Sequence, residues 1–330
     1  MRATRPASFA TAVAVSFLVA SSPAFAANAF DLAPGQRLLA PISHKNLSIF
    51  PVVLSEKPGA PGVHYLTLAE GLKTNSVAVE EQKNGGTVNS VNVGNKSDRP
   101  LLLLAGEVIL GGQQDRVIGE DTIIQPHADL VVPVFCVEHG RWSGKVQFTS
   151  TGGFVDSSVR MKAKYAGNQQ QVWDAVAKKN QALKVQNATG TYRSLATGAE
   201  GKAATQPFRD AIAPKLAALP EAGQLIGLVA AVNGRVTSVD VFADPQLFAA
   251  YRERLLDSIF LAVADKPVTS ETPPAAQAVG DFVNELRATK AEVKNGGGSR
   301  EMKKGSKVVG TSLKPSAAQK SVYDSYQAVE

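Results

Sequence analysis

Residues 224–248, "QLIGLVAAVNGRVTSVDVFADPQLF", decide the fold class, because they hold two strands, the turn between them and the start of a helix. "QLIGLVAAV" and "RVTSVDVF" flank Asn233-Gly234, a pair suited to a two-residue turn that needs positive φ at both positions. The strands therefore pair as an antiparallel hairpin. Asp244 then supplies a helix cap, and Pro245 fits the first helical position, where no N–H is required. From there "QLFAAYRERLLDSIFLAV" sets Leu247, Phe248, Tyr251, Leu255 and Ile259 at helical spacing. A hairpin feeding straight into a helix belongs to an α+β chain, and parallel βαβ repeats are not expected.

Upstream, the chain reads as strands from Leu47 to about Trp142: "LSIFPVVL", "HYLTL", "SVAVEEQ", "TVNSVNVGN", "PLLLLAG", "EVIL", "RVI", "TIIQ" and "LVVPVFCVE". Gly, Pro, Asn and Asp clusters such as "KPGAPG" and "NKSDRP" separate them. Residues 40–150 are thus a β-rich, mainly antiparallel part, packed as a sandwich or a barrel. "PLLLLAG" and "LVVPVFCV" are apolar on both faces and are expected to be covered on both sides. In residues 160–265 the period changes. "QQQVWDAVAKKNQALKV" aligns Val172, Trp173, Val176, Ala177 and Leu183 on one helical face, and "PFRDAIAPKLAAL" reads as a shorter helix interrupted by proline.

Downstream, residues 266–280 form a Pro-rich connection and 281–330 a last helix, "DFVNELRAT", with a strand pair. "IGLVAA...SVDVF" and "VGTSLK...SVYDSY" share a Gly-led strand and a later strand holding one Asp, an internal echo of the hairpin.

The first 26 residues combine the positive start "MRATR", an apolar stretch and the small-residue motif "AFA" at Ala24–Ala26, which is the pattern of a secretory signal peptide. Cleavage after Ala26 would leave residues 27–330 as one domain, periplasmic or secreted. No later stretch reaches the 18 or so apolar residues that a membrane-crossing helix needs. Losing Arg2 and Arg5 lowers the formal charge from +6 to +4, and the remaining Lys and Arg are scattered, so no nucleic-acid partner is expected. The lone Cys136 cannot form an internal disulfide.

Two stretches carry the candidate chemistry. In "CVEHGRW", residues 136–142, strand alternation sends Cys136 and Glu138 one way and Val137 and His139 the other, which disfavours a Cys–His dyad and suits a buried, inert thiol. Glu138 ends a buried strand, so it needs a cationic partner, either Arg141 or Arg116. In "AGEVILGGQQDR", residues 105–116, Glu107 interrupts an apolar strand and two glycines lead into Gln113, Gln114, Asp115 and Arg116. Glu107, Arg116, Glu138 and Arg141 are expected to converge at one end of the sheet. The four His residues follow no metal-ligand spacing, and no phosphate-loop or serine-nucleophile motif is present, so no metal or cofactor is expected.

Together "NKSDRPLLLLAGEVILGGQQDRVI", "VVPVFCVEHGRW", "QQVWDAVA" and "GRVTSVDVFADPQLF" resemble the family named for its association with ADP-ribosylglycohydrolases and the rhodanese-phosphatase superfamily, a domain family without an established activity. The resemblance covers essentially the whole mature chain, including "GGGSREMKKGSKVVGTSL" as closing strands. Its recurring Gly-Glu, Gln-x-Arg and Cys-Val-Glu-x-Gly-Arg-Trp features fall on Gly106 and Glu107, Gln114 and Arg116, and Cys136, Glu138, Gly140, Arg141 and Trp142. His139 departs from the Gln common at its place, and Asp115 from a common Asn. The resemblance implies a context in ADP-ribose or NAD-derived chemistry.

Three readings of function follow. In the first, Glu107 and Glu138 join the ligand-binding residues Gln114, Arg116, Arg141 and Trp142 in a pocket for a small polar or anionic ligand, ADP-ribose-like or nucleotide-like. In the second, Glu107 and Glu138 are the acid and base of a hydrolase or transferase acting on a glycosidic or N-glycosidic bond. The third is a non-catalytic envelope interaction protein.

Overall fold

The structure is a computed structural model that describes residues 30–56, 62–82, 89–316 and 319–329. The signal-peptide segment, residues 1–26, lies outside the described residues.

The chain is α+β, with mostly antiparallel sheets, a barrel in its first half and most of its helices after it. Six strands close the barrel in the order Arg116–Ile118, Ala128–Cys136, Ser90–Asn95, Val77–Glu81, Gln147–Phe154 and Glu107–Gly111. Val79, Val91, Val93, Ile109, Val132 and Val134 fill its interior. Between sandwich and barrel, the barrel is therefore realised, because closure leaves no unpaired strand edge.

"PLLLLAG" is covered on both sides as expected, with Leu101 to Ala105 all fully buried. "LVVPVFCV" is not. It forms the barrel strand Ala128–Cys136, whose inward Val132, Val134 and Cys136 are buried while Val131 is 56% exposed. A barrel wall has one wet face where nothing packs against it, so a run that is apolar throughout still alternates in burial. One further difference is the short helix Leu68–Lys73, capped by Thr67 and continuing what reads as the strand "HYLTL".

The second half builds a ten-stranded sheet around the opening hairpin. Leu225–Val232 and Arg235–Phe242 pair in antiparallel fashion, and Asn233 and Gly234 turn between them with φ of 51° and 76°. Leu47–Leu54 adds to one side. There Pro51, which has no N–H to donate, falls between the partners of Ile49 and Val52, where one neighbouring strand ends and the next begins. Tyr323–Ala328 adds to the other side, followed by Val308–Lys314, Ser299–Lys304 and Glu292–Asn295. The C-terminal segment thus supplies four strands where the sequence suggests a pair.

The internal echo has a physical counterpart, since Arg235–Phe242 and Tyr323–Ala328 are adjacent antiparallel strands that join two hairpins. Helices Ala199–Ala217 and Pro245–Val263 cover one face of the sheet, while Ala276–Arg287 buries Val279 and Val283 against the other. The 199–217 helix is longer than the Pro-interrupted segment read from sequence and holds both Pro207 and Pro214.

Candidate functional site

The polar residues singled out in the sequence separate into three groups. The first is a knot around Arg141. Glu138 Oε2 accepts from Arg141 Nε at 2.7 Å and from the Asp115 amide at 3.2 Å, and Oε1 accepts from Thr189 Oγ1 at 2.8 Å. The other Arg141 N–H groups reach Gly112 O (3.0 Å), Ser143 O (2.8 Å), Gly111 O (3.3 Å) and Asp115 Oδ1 (3.3 Å). Every N–H of the guanidinium is committed. Gly111 and Gly112 take φ of 123° and 58°, a path that only glycine follows readily and that turns their carbonyls toward Arg141.

Burial pushes the Glu138 carboxyl up, but hydrogen bonds from Arg141, Thr189 and Asp115 outweigh it and hold the group below its ordinary range. Asp115 is held above its ordinary range, chiefly by burial. Gln114 sits beside the knot, 4% exposed, its Nε2 donating to His139 O at 3.5 Å while its Oε1 has no partner among the described residues.

The second group lies in the barrel. Arg116 is fully buried and donates to Glu81 at 3.0 and 3.3 Å, and Trp142, half exposed, lies over the guanidinium at 5.5 Å. Cys136 stands opposite Arg116 in the neighbouring strand. It is fully buried, and burial pushes its thiol up to about 11.

The third group is Glu107 with Arg254 of the 245–263 helix, at 2.8 Å, and with the Leu104 amide, at 2.9 Å. Glu107 is fully buried, and burial raises its carboxyl above the ordinary range despite Arg254. It begins the strand Glu107–Gly111, whereas the Arg141 knot grips the far end at Gly111. Four strand residues span about 13 Å. The structure thus brings Glu138, Arg141 and Gln114 together, sets Arg116 and Trp142 beside them, and keeps Glu107 apart.

A different region holds a cleft of about 1080 Å³, lined among others by Ser158, Arg160, Asp240, Ser258, Phe282 and Gln327. None of the residues singled out in the two stretches lines it. Its floor follows from strand register. Ser238, Asp240 and Phe242 face the same side of the hairpin and pair with Gln327, Ser325 and Tyr323, while Thr311 lies beside Ser325 in the next strand. Register therefore lays a polar row across an otherwise apolar sheet.

Above this row runs the helix Ser157–Met161, capped by Asp156 and continued by the π-helical turn Lys162–Ala166. Arg160 is fully buried there. It donates to Ala105 O (3.0 Å), Asp240 Oδ1 (2.9 Å) and Ser325 Oγ (3.2 Å), and also to Tyr323 OH. Lys164 pairs with Asp121 at 2.7 Å, and Asp121 also accepts from the Ala105 amide and Thr311 Oγ1, each at 2.9 Å. Burial pulls the Lys164 ammonium down to about 8 even with Asp121 beside it. Burial alone would raise Asp121, yet Lys164 and Arg160 hold it below its ordinary range.

Gln327 differs from this network. It is 2% exposed and lines the cleft, and its Oε1 has no hydrogen-bond partner among the described residues. An unmade hydrogen bond of this kind costs about 1–3 kcal/mol, so this oxygen, closed to solvent as the side chain stands, gains from any donor it meets on turning toward the cleft.

A model of the ARG and Rhodanese-Phosphatase-superfamily-associated Protein domain matches residues 35–324, from the first strands to the last. The chain belongs to this family. No curated protein and no solved structure matches it. The family match spans both the Arg141 knot and the Arg160 floor.

Sequence reasoning missed the floor because Arg160 lies in "SSVRMKAKY", which has no periodicity to mark it, and its partners come from three distant segments. One signal was present: Asp240 interrupts the apolar strand "RVTSVDVF". Among the described residues, no group of three or more His, Cys, Asp or Glu side chains converges as a metal site would require, and no helix is long and apolar enough to cross a membrane.

Proposed function

We propose that this protein binds a small polar ligand in the 1080 Å³ cleft between the hairpin and the helices 157–161, 245–263 and 276–287. One observation carries the reading: Gln327 Oε1 is buried at the cleft wall with no donor, in a region whose other buried polar groups are largely paired. The ligand presents an N–H or O–H to that oxygen and rests on a floor that Arg160 keeps rigid. A nucleotide-like or ADP-ribose-like molecule has the polar edges and the size for such a space. In this reading the chain is exported, with residues 1–26 as its signal.

Catalysis by paired carboxylates is the weaker reading. Glu107 pairs with Arg254 at the start of the strand Glu107–Gly111 and Glu138 with Arg141, which grips its far end about 13 Å away, whereas glycoside hydrolysis needs both carboxyls to flank one bond. The Glu138, Gln114, Arg116, Arg141 and Trp142 set is a second place for a ligand, favoured by the unpaired Oε1 of Gln114.

Shift mapping by NMR with ADP-ribose, AMP, ribose 5-phosphate and cell-wall muropeptides tests the two places together. Binding in the cleft moves the amides of Ser157–Met161, Arg235–Phe242 and Tyr323–Ala328, and Gln327→Leu abolishes the response. A panel that leaves those amides still, or moves only residues 112–116 and 138–142, refutes the cleft reading.

A further inference from the structure

We infer that the ligand of the cleft is anionic and that its charged end lies in a second, lysine-lined groove that adjoins the cleft. This inference rests on the cleft reading and names the chemical class of its ligand. The groove has a volume of about 320 Å³ and is lined by Lys162, Lys178, Lys179 and Lys266 together with Asp156, Asp174 and Asp265. Ser157, Ser158, Ala262 and Lys266 line both cavities, so the two spaces adjoin there. A molecule seated against Gln327 passes these residues to reach the lysines.

Counting charge alone gives a near balance, since four lysines face three aspartates. The placement of the pairs decides which charges are available. Asp265 is held by Lys179 at 2.6 Å. Asp156 accepts from the Ser158 amide and hydroxyl at 3.0 and 2.6 Å, and Tyr192 OH lies 3.3 Å from its other oxygen. Asp174 accepts from Gln170 at 2.8 Å. Asp265 and Asp156 are thus engaged, and Asp174 is turned to Gln170 on the outer face of its helix. Lys162 and Lys178, by contrast, have no carboxylate within ion-pair distance among the described residues.

A cationic ligand would meet Asp265 already paired with Lys179 and Asp156 already holding three donors, whereas an anion finds two ammonium groups without an ion-pair partner among the described residues. Lysine acts as a compact point charge without the fixed fork of arginine, which suits phosphate as a multi-oxygen anion that tolerates several approach directions. The cleft itself offers a basic rim residue on the same side, since Arg235 at the hairpin turn also lines it. The arrangement therefore reads as a polar body in the cleft with a phosphate in the groove.

Isothermal titration with inorganic pyrophosphate, and with AMP against adenosine, tests this on the full mature chain. Pyrophosphate is expected to bind wild type, and the double variant Lys162→Ala/Lys178→Ala is expected to lose at least tenfold in affinity for it while keeping the wild-type melting temperature. AMP should bind at least tenfold tighter than adenosine to wild type, and the double variant should erase that difference. Raising salt should weaken AMP and leave adenosine unchanged. Pyrophosphate that fails to bind, or that binds the double variant equally well, overturns the anionic reading. If adenosine or a muropeptide still responds to Gln327→Leu in that case, the cleft stands and only the groove falls. Silence of every probe removes both.

Discussion

The Arg141 knot and the Arg160 floor are both buried charge clusters organised by one guanidinium, each with a glutamine oxygen beside it that has no partner among the described residues, Gln114 Oε1 and Gln327 Oε1, and they differ in that Gln327 lines the 1080 Å³ cleft. In the knot, each N–H of Arg141 has an acceptor and each oxygen of Glu138 a donor, so the cluster closes on itself and pins the loop after the strand Ala128–Cys136 to the glycine turn. In the floor, Arg160 and Lys164 are matched by Asp240 and Asp121, but Oε1 of the neighbouring Gln327, a residue that lines the cleft, has no partner among the described residues. Saturation is the signature of a brace, and one unmet group at a cavity wall is the signature of a site. Composition does not separate the two, because both are made of Arg, Asp or Glu, and Ser or Thr.

The sharpest way to break the comparison is to remove each arginine. Arg160→Met leaves Asp240 buried without its cation and should cost about 3–5 kcal/mol in urea unfolding. Arg141→Met should cost less, about 1.5–3 kcal/mol, because Arg141 is a quarter exposed and water can replace part of what it gives. The opposite order would mean that the knot, not the floor, anchors the fold.

Alkaline titration separates the clusters next. The folded-state value for Lys164, about 8, lies below its free value of 10.5. Between those two values the unfolded chain binds more protons, so this group makes stability rise with pH across that window. The rise amounts to at most about 3 kcal/mol. Lys164→Met should lack it, which urea midpoints at a series of pH values from neutral to mildly alkaline would show.

Cys136, in the barrel, has the opposite sign. Its thiol stays protonated in the fold up to about 11 against 9.0 when free, so its contribution is complete below the lower value and is lost as pH rises through the upper one. Comparing Cys136→Ala with wild type isolates that loss. The same burial makes labelling by a thiol reagent at neutral pH slow and limited by unfolding, and rapid labelling would contradict the barrel packing.

The smallest expected effect is the most informative. Gln327→Leu should leave stability within about 0.5 kcal/mol of wild type or raise it, because an unpaired amide is replaced by an apolar group of similar size. Glu138→Gln should lower stability by about 1–3 kcal/mol, because it takes the charge from a pair already made. Equal losses in the two variants would erase the distinction between brace and site.

Much of the fold was legible because its signals are local. Asn233-Gly234 needs only its own φ preferences to turn a hairpin, Asp244 and Pro245 start a helix from their own chemistry, and the β-rich first half follows from short apolar strands between turn residues. Burial of the Cys136 thiol was legible too, from its apolar neighbours. The partner of Glu138 was half legible: Arg141, three residues on, takes it, while Arg116 turns to Glu81 from another strand.

Strand closure, register and the arrival of distant helices were decided only by tertiary structure. Closure into a barrel left the start of the uniformly apolar "LVVPVFCV" with one wet face, at Val131, which no period in the sequence announces. Register between Arg235–Phe242 and Tyr323–Ala328 set Asp240 beside Ser325 and Gln327 beside Ser238 from segments more than 80 residues apart. A helix from earlier in the chain then places Arg160 over the row, where the Gln327 oxygen has no partner among the described residues. Local propensity fixes elements within a few residues, whereas a site made by side chains from several elements exists only once the sheet has chosen its partners.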